Sequence, residues 1–95
     1  MNLDEQKLAV CEKVTQSNET WRKYLMLHAI NWPTEGLQIC HEASKGFDIQ
    51  LNILNDGSWK VILIGNQRMI VSIGKDLFTT WLDALCRVWW PERWR

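Results

Sequence analysis

From Phe47 onward apolar and polar positions alternate. Phe47, Ile49, Leu51 and Ile53 are apolar, while Asp48, Gln50 and Asn52 are polar. A period of two is what a strand with one wet face requires. Asn55-Asp56-Gly57-Ser58 is a hairpin turn by composition, because these residues tolerate left-handed backbone or bond their own main chain. Trp59, Val61 and Leu63 resume the alternation around Lys60, Ile62 and Ile64, and Gly65-Asn66 reads as a second tight turn. Met69, Val71 and Ile73 mark a third strand, closed by Gly74. The segment therefore predicts a three-stranded antiparallel meander over about 47–54, 59–65 and 68–73. Asp76 then caps a helix over about 77–89, with Leu77, Trp81, Leu85 and Val88 on one stripe, widened by Phe78, Leu82 and Trp89. Pro91 stops it.

The N-terminal half changes period. Leu3, Lys7, Val10 and Val14 share a side over residues 3–15, with Leu8 and Cys11 beside them. Asn2 or Asp4 caps that helix, and Asp4 and Glu5 suit its positive end. Ser17 and Asn18 offer a new cap for a second helix over about 19–30, carrying Trp21, Tyr24, Leu27 and Ile30. The two could also form one bent helix. Trp32-Pro33 punctuates again, and a short helix follows over about 33–45 with Leu37 and Cys40 inward and Ile39 and Ala43 as further inward candidates. Gly46 suits the left-handed position that ends it. The expected fold class is α+β: a helical N-terminal half, the meander, and a C-terminal helix. Ninety-five residues leave room for one core, so residues 1–95 form a single domain.

Ile62 and Ile64 lie opposite Trp59, Val61 and Leu63. A meander covered on one side only should be polar there. Three readings stand: the N-terminal helices cover that face, another subunit covers it, or the two residues are scattered surface apolarity.

Charge and composition narrow the partners. Lys plus Arg is 11 and Asp plus Glu is 11, for a net charge of zero. Neither half has a surplus: residues 1–46 carry five basic and six acidic residues, residues 47–95 six and five. Binders of generic nucleic acid need surplus cations to displace counterions, so this class is disfavoured. The seven tryptophans, at 21, 32, 59, 81, 89, 90 and 94, exceed what one small core readily hides. Exposed indoles favour protein interfaces. The three cysteines, Cys11, Cys40 and Cys86, are odd in number and widely spaced. Free thiols in a reducing, cytoplasmic compartment are expected. Acids close to Met1 fit no secretory signal, and the longest apolar run, Trp59 to Gly65, is too short to cross a bilayer.

The stretch from Pro33 to Trp90 resembles the phage ABA sandwich domain, a family of small phage and prophage proteins. The resemblance rests on a short helix before Lys45-Gly46-Phe47, the Asn-Asp-Gly turn, and Trp59 opening the second strand. A third strand and the helix pattern Leu82-Asp83-Ala84-Leu85-Cys86-Arg87 complete it. It implies a phage or mobile-element origin and a compact layered fold, and brings no catalytic residues. The order of elements is also similar to a double-stranded-RNA-binding domain. That family needs a lysine cluster at the start of its last helix, where this chain has only Lys75 followed by Asp76.

Catalytic chemistry finds little purchase. Cys40, His41 and Cys86 could supply metal ligands, but the spacing contains no CxxC or HxxxH. His28 or His41 could serve Cys86 as a base only through folding. We expect no cofactor, no metal and no enzyme. In the tail, Trp90, Arg93 and Trp94 could meet a protein partner, bases or a membrane surface, or fold back onto the domain. The candidate partner-binding residues are therefore Trp90, Arg93, Trp94, Ile62 and Ile64. Trp59 and Trp81 are expected to touch across the sheet–helix layer, with Trp90 and Trp94 dispensable for folding. The sequence reads as a phage-related, non-enzymatic protein-interaction module, host-modulating and capable of homodimerising. The rival readings are a nucleic-acid module gripping through Arg22, Lys23, Lys60 and Lys75, and a small enzyme.

Overall fold

The computed structural model describes residues 3–27 and 29–94. Asn2, one of the two expected caps, and His28, weighed as a base, lie outside the described residues. The elements run α1 (Leu3–Ser17), α2 (Glu19–Leu27), α3 (Trp32–Ala43), β1 (Asp48–Ile53), β2 (Trp59–Gly65), β3 (Arg68–Gly74) and α4 (Leu77–Trp89). This is the α+β arrangement expected, with two helices in place of a bent one at the start. Asn18 makes the break, because its side-chain oxygen accepts the Trp21 backbone N–H at 3.1 Å while its amide donates to Glu42 Oε1. The second helix ends at Leu27, short of the expected Ile30.

The sheet is an antiparallel meander in the order β1-β2-β3. Both turns set its register. In the first, Ser58 N–H donates to Asp56 Oδ1 at 2.9 Å and Leu54 N–H to Ser58 O at 2.8 Å. The second turn is centred one residue later than the sequence suggests. Asn66 and Gln67 take φ of 49° and 61°, and Gly65 pairs with Arg68 as the last rung of the strands. Two consecutive left-handed residues form the tight turn whose twist matches flanking strands. That register puts Val61 opposite Ser72 and Leu63 opposite Ile70 on one face, and Ile62 opposite Val71 and Ile64 opposite Met69 on the other.

Helix α4 lies at the centre. It packs on β2 and β3 from one side and on α1 and α3 from the other. Thr80, Trp81, Leu82, Ala84, Leu85, Cys86 and Val88 are all buried, which is more than one stripe. A helix covered on two sides must be apolar on two sides. Its N-terminus is held by Asp76, whose Oδ2 accepts the Thr79 N–H at 2.9 Å. The layers are thus the sheet, then α4, then α1 with α3, and α2 rests on α1. The buried cluster joins Val10 and Val14 of α1, Ile39 and Cys40 of α3, Val61 and Leu63 of β2, and the α4 residues.

The expected contact between Trp59 and Trp81 is corrected here. Trp81 is buried as expected but turns to α3: its Nε1 donates to Ser44 Oγ at 2.9 Å, and its ring meets His41 edge-on. Trp59 is half-buried at the far end of β2, opposite Ile53 and Gly74, and is not part of the buried cluster. The indole N–H decides the outcome. A buried donor needs an acceptor, and the end of α3 supplies one where the apolar sheet face does not. Trp94, expected to be dispensable for folding, is only 3% exposed, the arrangement of the reading in which it folds back onto the domain. After Pro91 the chain makes a further turn, in which the N–H groups of Arg93 and Trp94 both return to Trp90 O at 3.0 Å. That turn lays Trp94 back onto the core.

Candidate partner-binding surface

The five expected interface residues fall in two separate places. Ile62 and Ile64 lie on the outer face of the sheet; Trp90, Arg93 and Trp94 follow α4, which packs on the inner face. The helices cover the side carrying Val61 and Leu63, both fully buried. No described helix covers the outer face. The reading in which N-terminal helices shield Ile62 and Ile64 is therefore excluded for the described residues.

The outer face is more apolar than Ile62 and Ile64 alone suggest. The register sets Met69 beside Ile64, Val71 beside Ile62 and Ile73 beside Lys60. Met69 is 64% exposed and Ile73 is 61% exposed. These β3 residues were not singled out from the sequence, yet a signal existed. Once the two-residue turn at Asn66-Gln67 is recognised, the cross-strand pairs follow by counting. Counting also resolves a conflict within β3, where Met69, Val71 and Ile73 look like the inward set by hydrophobicity. The register turns Ile70 and Ser72 inward instead. Ser72 pays the polar penalty of burial by donating its hydroxyl to Asp83 Oδ2 at 2.7 Å. The β1 side of the outer face is polar and exposed, with Asp48, Gln50 and Asn52.

The two sheet edges differ. Arg87 Nη1 donates to Val71 O at 2.9 Å, and Arg68 Nη1 donates to Val88 O at 3.1 Å. The Arg87 guanidinium so occupies a β3 carbonyl that a further strand would need, a common guard against edge pairing. Strand β1 has no described helix over it, and its inward-side residues Leu51 and Ile53 are 40% and 67% exposed.

At the tail, the Trp90 and Trp94 rings pack edge-on with centroids 5.7 Å apart, and Arg93 Cζ lies 4.4 Å from the Trp94 centroid. Arg93 also reaches Glu5 at 3.9 Å, but both side chains are more than half exposed, so this pair adds little stability. Of the three tail residues, Arg93 is exposed and Trp90 half-buried, whereas Trp94 is withdrawn into the core. Trp89, one residue before the tail, is tied down by Nε1 donating to Ala43 O at 3.0 Å and by edge packing on Phe47.

The residues weighed for chemistry are placed as structural parts. Cys40 and Cys86 are free and buried, and Cys11 is free and half-buried. Burial pushes the Cys86 thiol up to about 12, with nearby Asp83 adding to it, and burial pushes Cys11 up to about 11, helped by Glu12. Burial raises Cys40 further still. Thiols held protonated in this way are poor nucleophiles and poor metal ligands. His41 is exposed on α3 beside Trp81. Among the described residues no cluster of three His, Cys, Asp or Glu could hold a metal ion, and no helix is long and apolar enough to cross a membrane. The four basic residues of the nucleic-acid reading do not form one feature. Arg22 and Lys23 share Glu19 on α2, Lys60 is in β2, and Lys75 is in the turn before α4. No protein-family model matches the chain, and no curated protein or solved structure matches it.

Proposed function

We propose that this chain is a non-enzymatic protein-interaction domain whose first partner is a second copy of itself, bound face to face through the open side of the sheet. The observation that carries this reading is the sequence of β2 set against its surroundings. Val61-Ile62-Leu63-Ile64 is an unbroken apolar run, the composition of a strand covered on both faces. One cover is α4; the other face presents Ile62, Ile64, Met69, Val71 and Ile73 with nothing described over it.

Three further features support a second copy as the occupant. A face three strands wide and about seven residues long spans roughly 14 by 22 Å at sheet spacings. Two such faces sum to roughly 600 Å² in plan and more with side-chain relief, the range of a weak, concentration-dependent contact. Zero net charge removes repulsion between copies. Arg87 at Val71 O discourages extension of the sheet through β3, and the apolar stripe lies on the outer face and not along the β1 edge, which points to stacking of faces. The resemblance over Pro33 to Trp90 adds a phage or mobile-element origin, with a host-modulating role in the host cytoplasm. Raised thiols at Cys40 and Cys86 support a non-catalytic reading.

The test is sedimentation velocity over a wide concentration range, comparing the wild type with a Met69→Lys, Ile73→Lys double variant. Both residues are exposed in the monomer, so the lysines should leave the urea midpoint of the monomer unchanged. A concentration-dependent dimer in the wild type, absent in the variant, is expected. A wild type that stays monomeric throughout, or a variant that dimerises equally well, defeats the reading.

A further inference from the structure

A cleft of about 350 Å³ opens on the helical side of the molecule, lined by Thr20, Trp21, Tyr24, Glu35 and Gln38. Its walls are aromatic. The Trp21 and Tyr24 rings stand nearly perpendicular, at 79°, with centroids 5.6 Å apart. Trp21 is fixed from behind, because its backbone N–H is the one that caps on Asn18. The charged group is Glu35, in the first turn of α3. Tyr24 Oη donates to Glu35 Oε1 at 2.5 Å, and this bond holds the phenol above its ordinary range. The other carboxylate oxygen, Oε2, is buried and no described protein donor reaches it. Among the described residues no cation lies within ion-pair distance of Glu35 either.

We infer that this cleft is a binding site for a protonated alkylamine, with Glu35 as the counter-charge and Trp21 and Tyr24 as the cage. The chemistry of the lining selects the class. Aromatic faces attract a cation through their quadrupole, most strongly where water is displaced. A buried carboxylate oxygen with open lone pairs calls for an N–H or O–H donor. A primary ammonium meets both demands. A quaternary ammonium offers charge without a donor, and an alcohol offers a donor without charge. An anion is excluded by Glu35. The volume lies at the small end of ligand pockets, which suits an alkylamine or the end of a lysine side chain and no larger body. The site lies among α2 and α3, away from the sheet face proposed for self-association, and stands independently of it.

The experiment is a titration of the full ¹⁵N-labelled chain with pentylamine at neutral pH, followed at the indole N–H of Trp21. That signal is assigned by its disappearance in Trp21→Phe. A saturable shift is expected with pentylamine, at least tenfold weaker with tetramethylammonium and absent with pentanol. Glu35→Gln should weaken pentylamine binding at least tenfold while keeping the rest of the spectrum. If that variant fails to fold, the two control ligands on the wild type still decide. Nα-acetyl-lysine methylamide binding as well as pentylamine identifies a lysine side chain as the natural source; weaker binding identifies a free amine, and either sustains the site. No saturable shift with either amine overturns the inference. So does pentanol matching pentylamine, or a folded Glu35→Gln that binds as the wild type does.

Discussion

Removal of the Trp94 side chain tests whether the last residues of the chain belong to the core. Trp94 is 3% exposed, rests edge-on against Trp90 and is held by its backbone N–H to Trp90 O. Burying an indole removes about 200 Å² from water, worth about 5 kcal/mol at about 25 cal/mol/Å². The substitution has an offset that an internal tryptophan lacks. Trp94 lies on the turn after Pro91, which is held by two N–H bonds to Trp90 O, so Trp94→Ala lets that turn loosen instead of leaving a rigid cavity. Freeing about three residues returns roughly 1 kcal/mol each. The net expected loss is about 2–3 kcal/mol, below the roughly 3–5 typical of an internal aromatic. Trp81→Ala belongs to the latter range, because Trp81 lies mid-helix with its N–H bonded to Ser44.

The assay is urea denaturation followed by far-UV circular dichroism, which does not depend on the indole being removed. With a slope near 1 kcal/mol/M for a domain this small, the Trp94→Ala midpoint should fall by about 2–3 M. Trp90→Ala should fall between Trp94→Ala and the wild type, since Trp90 is half-buried and supports the Trp94 ring. A Trp94→Ala midpoint within about 0.5 M of the wild type would show that the tail is an appendage. The reasoning from burial would then be wrong.

Gly74→Ala should destabilise the domain by about 1–3 kcal/mol, read from the same urea curves. A Cβ there would run into Thr80 Oγ1, itself bonded to Asp76 O at 2.6 Å, so either the Thr80 hydroxyl turns away and gives up that bond or α4 lifts from the sheet. Acidification should weaken the fold through Glu42, whose carboxyl is held below its usual range chiefly by Lys45 at 2.8 Å and also by Asn18. A depressed carboxyl contributes stability above its unfolded pKa and loses it as the pH falls through the lower, folded value. The urea midpoint of the wild type should therefore decline through the acidic range more steeply than that of Glu42→Gln, and parallel curves would refute the assignment.

Local chemistry accounts for what was legible in the sequence. The Asn55-to-Ser58 turn, the Asp76 cap and the Asn18 break each rest on bonds within a few residues, and each is present in the fold. β1 forms where the alternation places it, but of its apolar residues only Ile49 is partly buried, while Leu51 and Ile53 stay exposed. Gly46, expected in left-handed backbone, has φ of 95°. The misses required knowing what lay across the molecule. Nothing near Trp81 in sequence indicates that its N–H will find Ser44 thirty-seven residues away. Trp94 follows Pro91, Glu92 and Arg93, a polar stretch that reads as a tail until its two N–H groups are seen to return to one carbonyl. Glu35 carried no signal at all as a site, because its orphaned oxygen exists only once α2 has brought Tyr24 to it.

The outer sheet face lies between these cases, and it shows how far pattern reaches. Ile62 and Ile64 could be singled out because β2 broke its own alternation. Met69, Val71 and Ile73 could not, since by hydrophobicity alone they are the better inward set and Ser72 the worse. Placing them inward would move the second turn by one residue and send Ser72 and Ile70 to solvent, the penalty of a one-residue slip. The chain resists that slip at three points: the left-handed pair at Asn66 and Gln67, the Ser72 hydroxyl on Asp83, and the Arg87 guanidinium on Val71 O. Three polar anchors therefore hold an apolar stripe outward on β3. A monomer with no use for that stripe would lose nothing by making it polar, as β1 does with Asp48, Gln50 and Asn52. An apolar face fixed outward against the simpler alternative is the arrangement an interface requires.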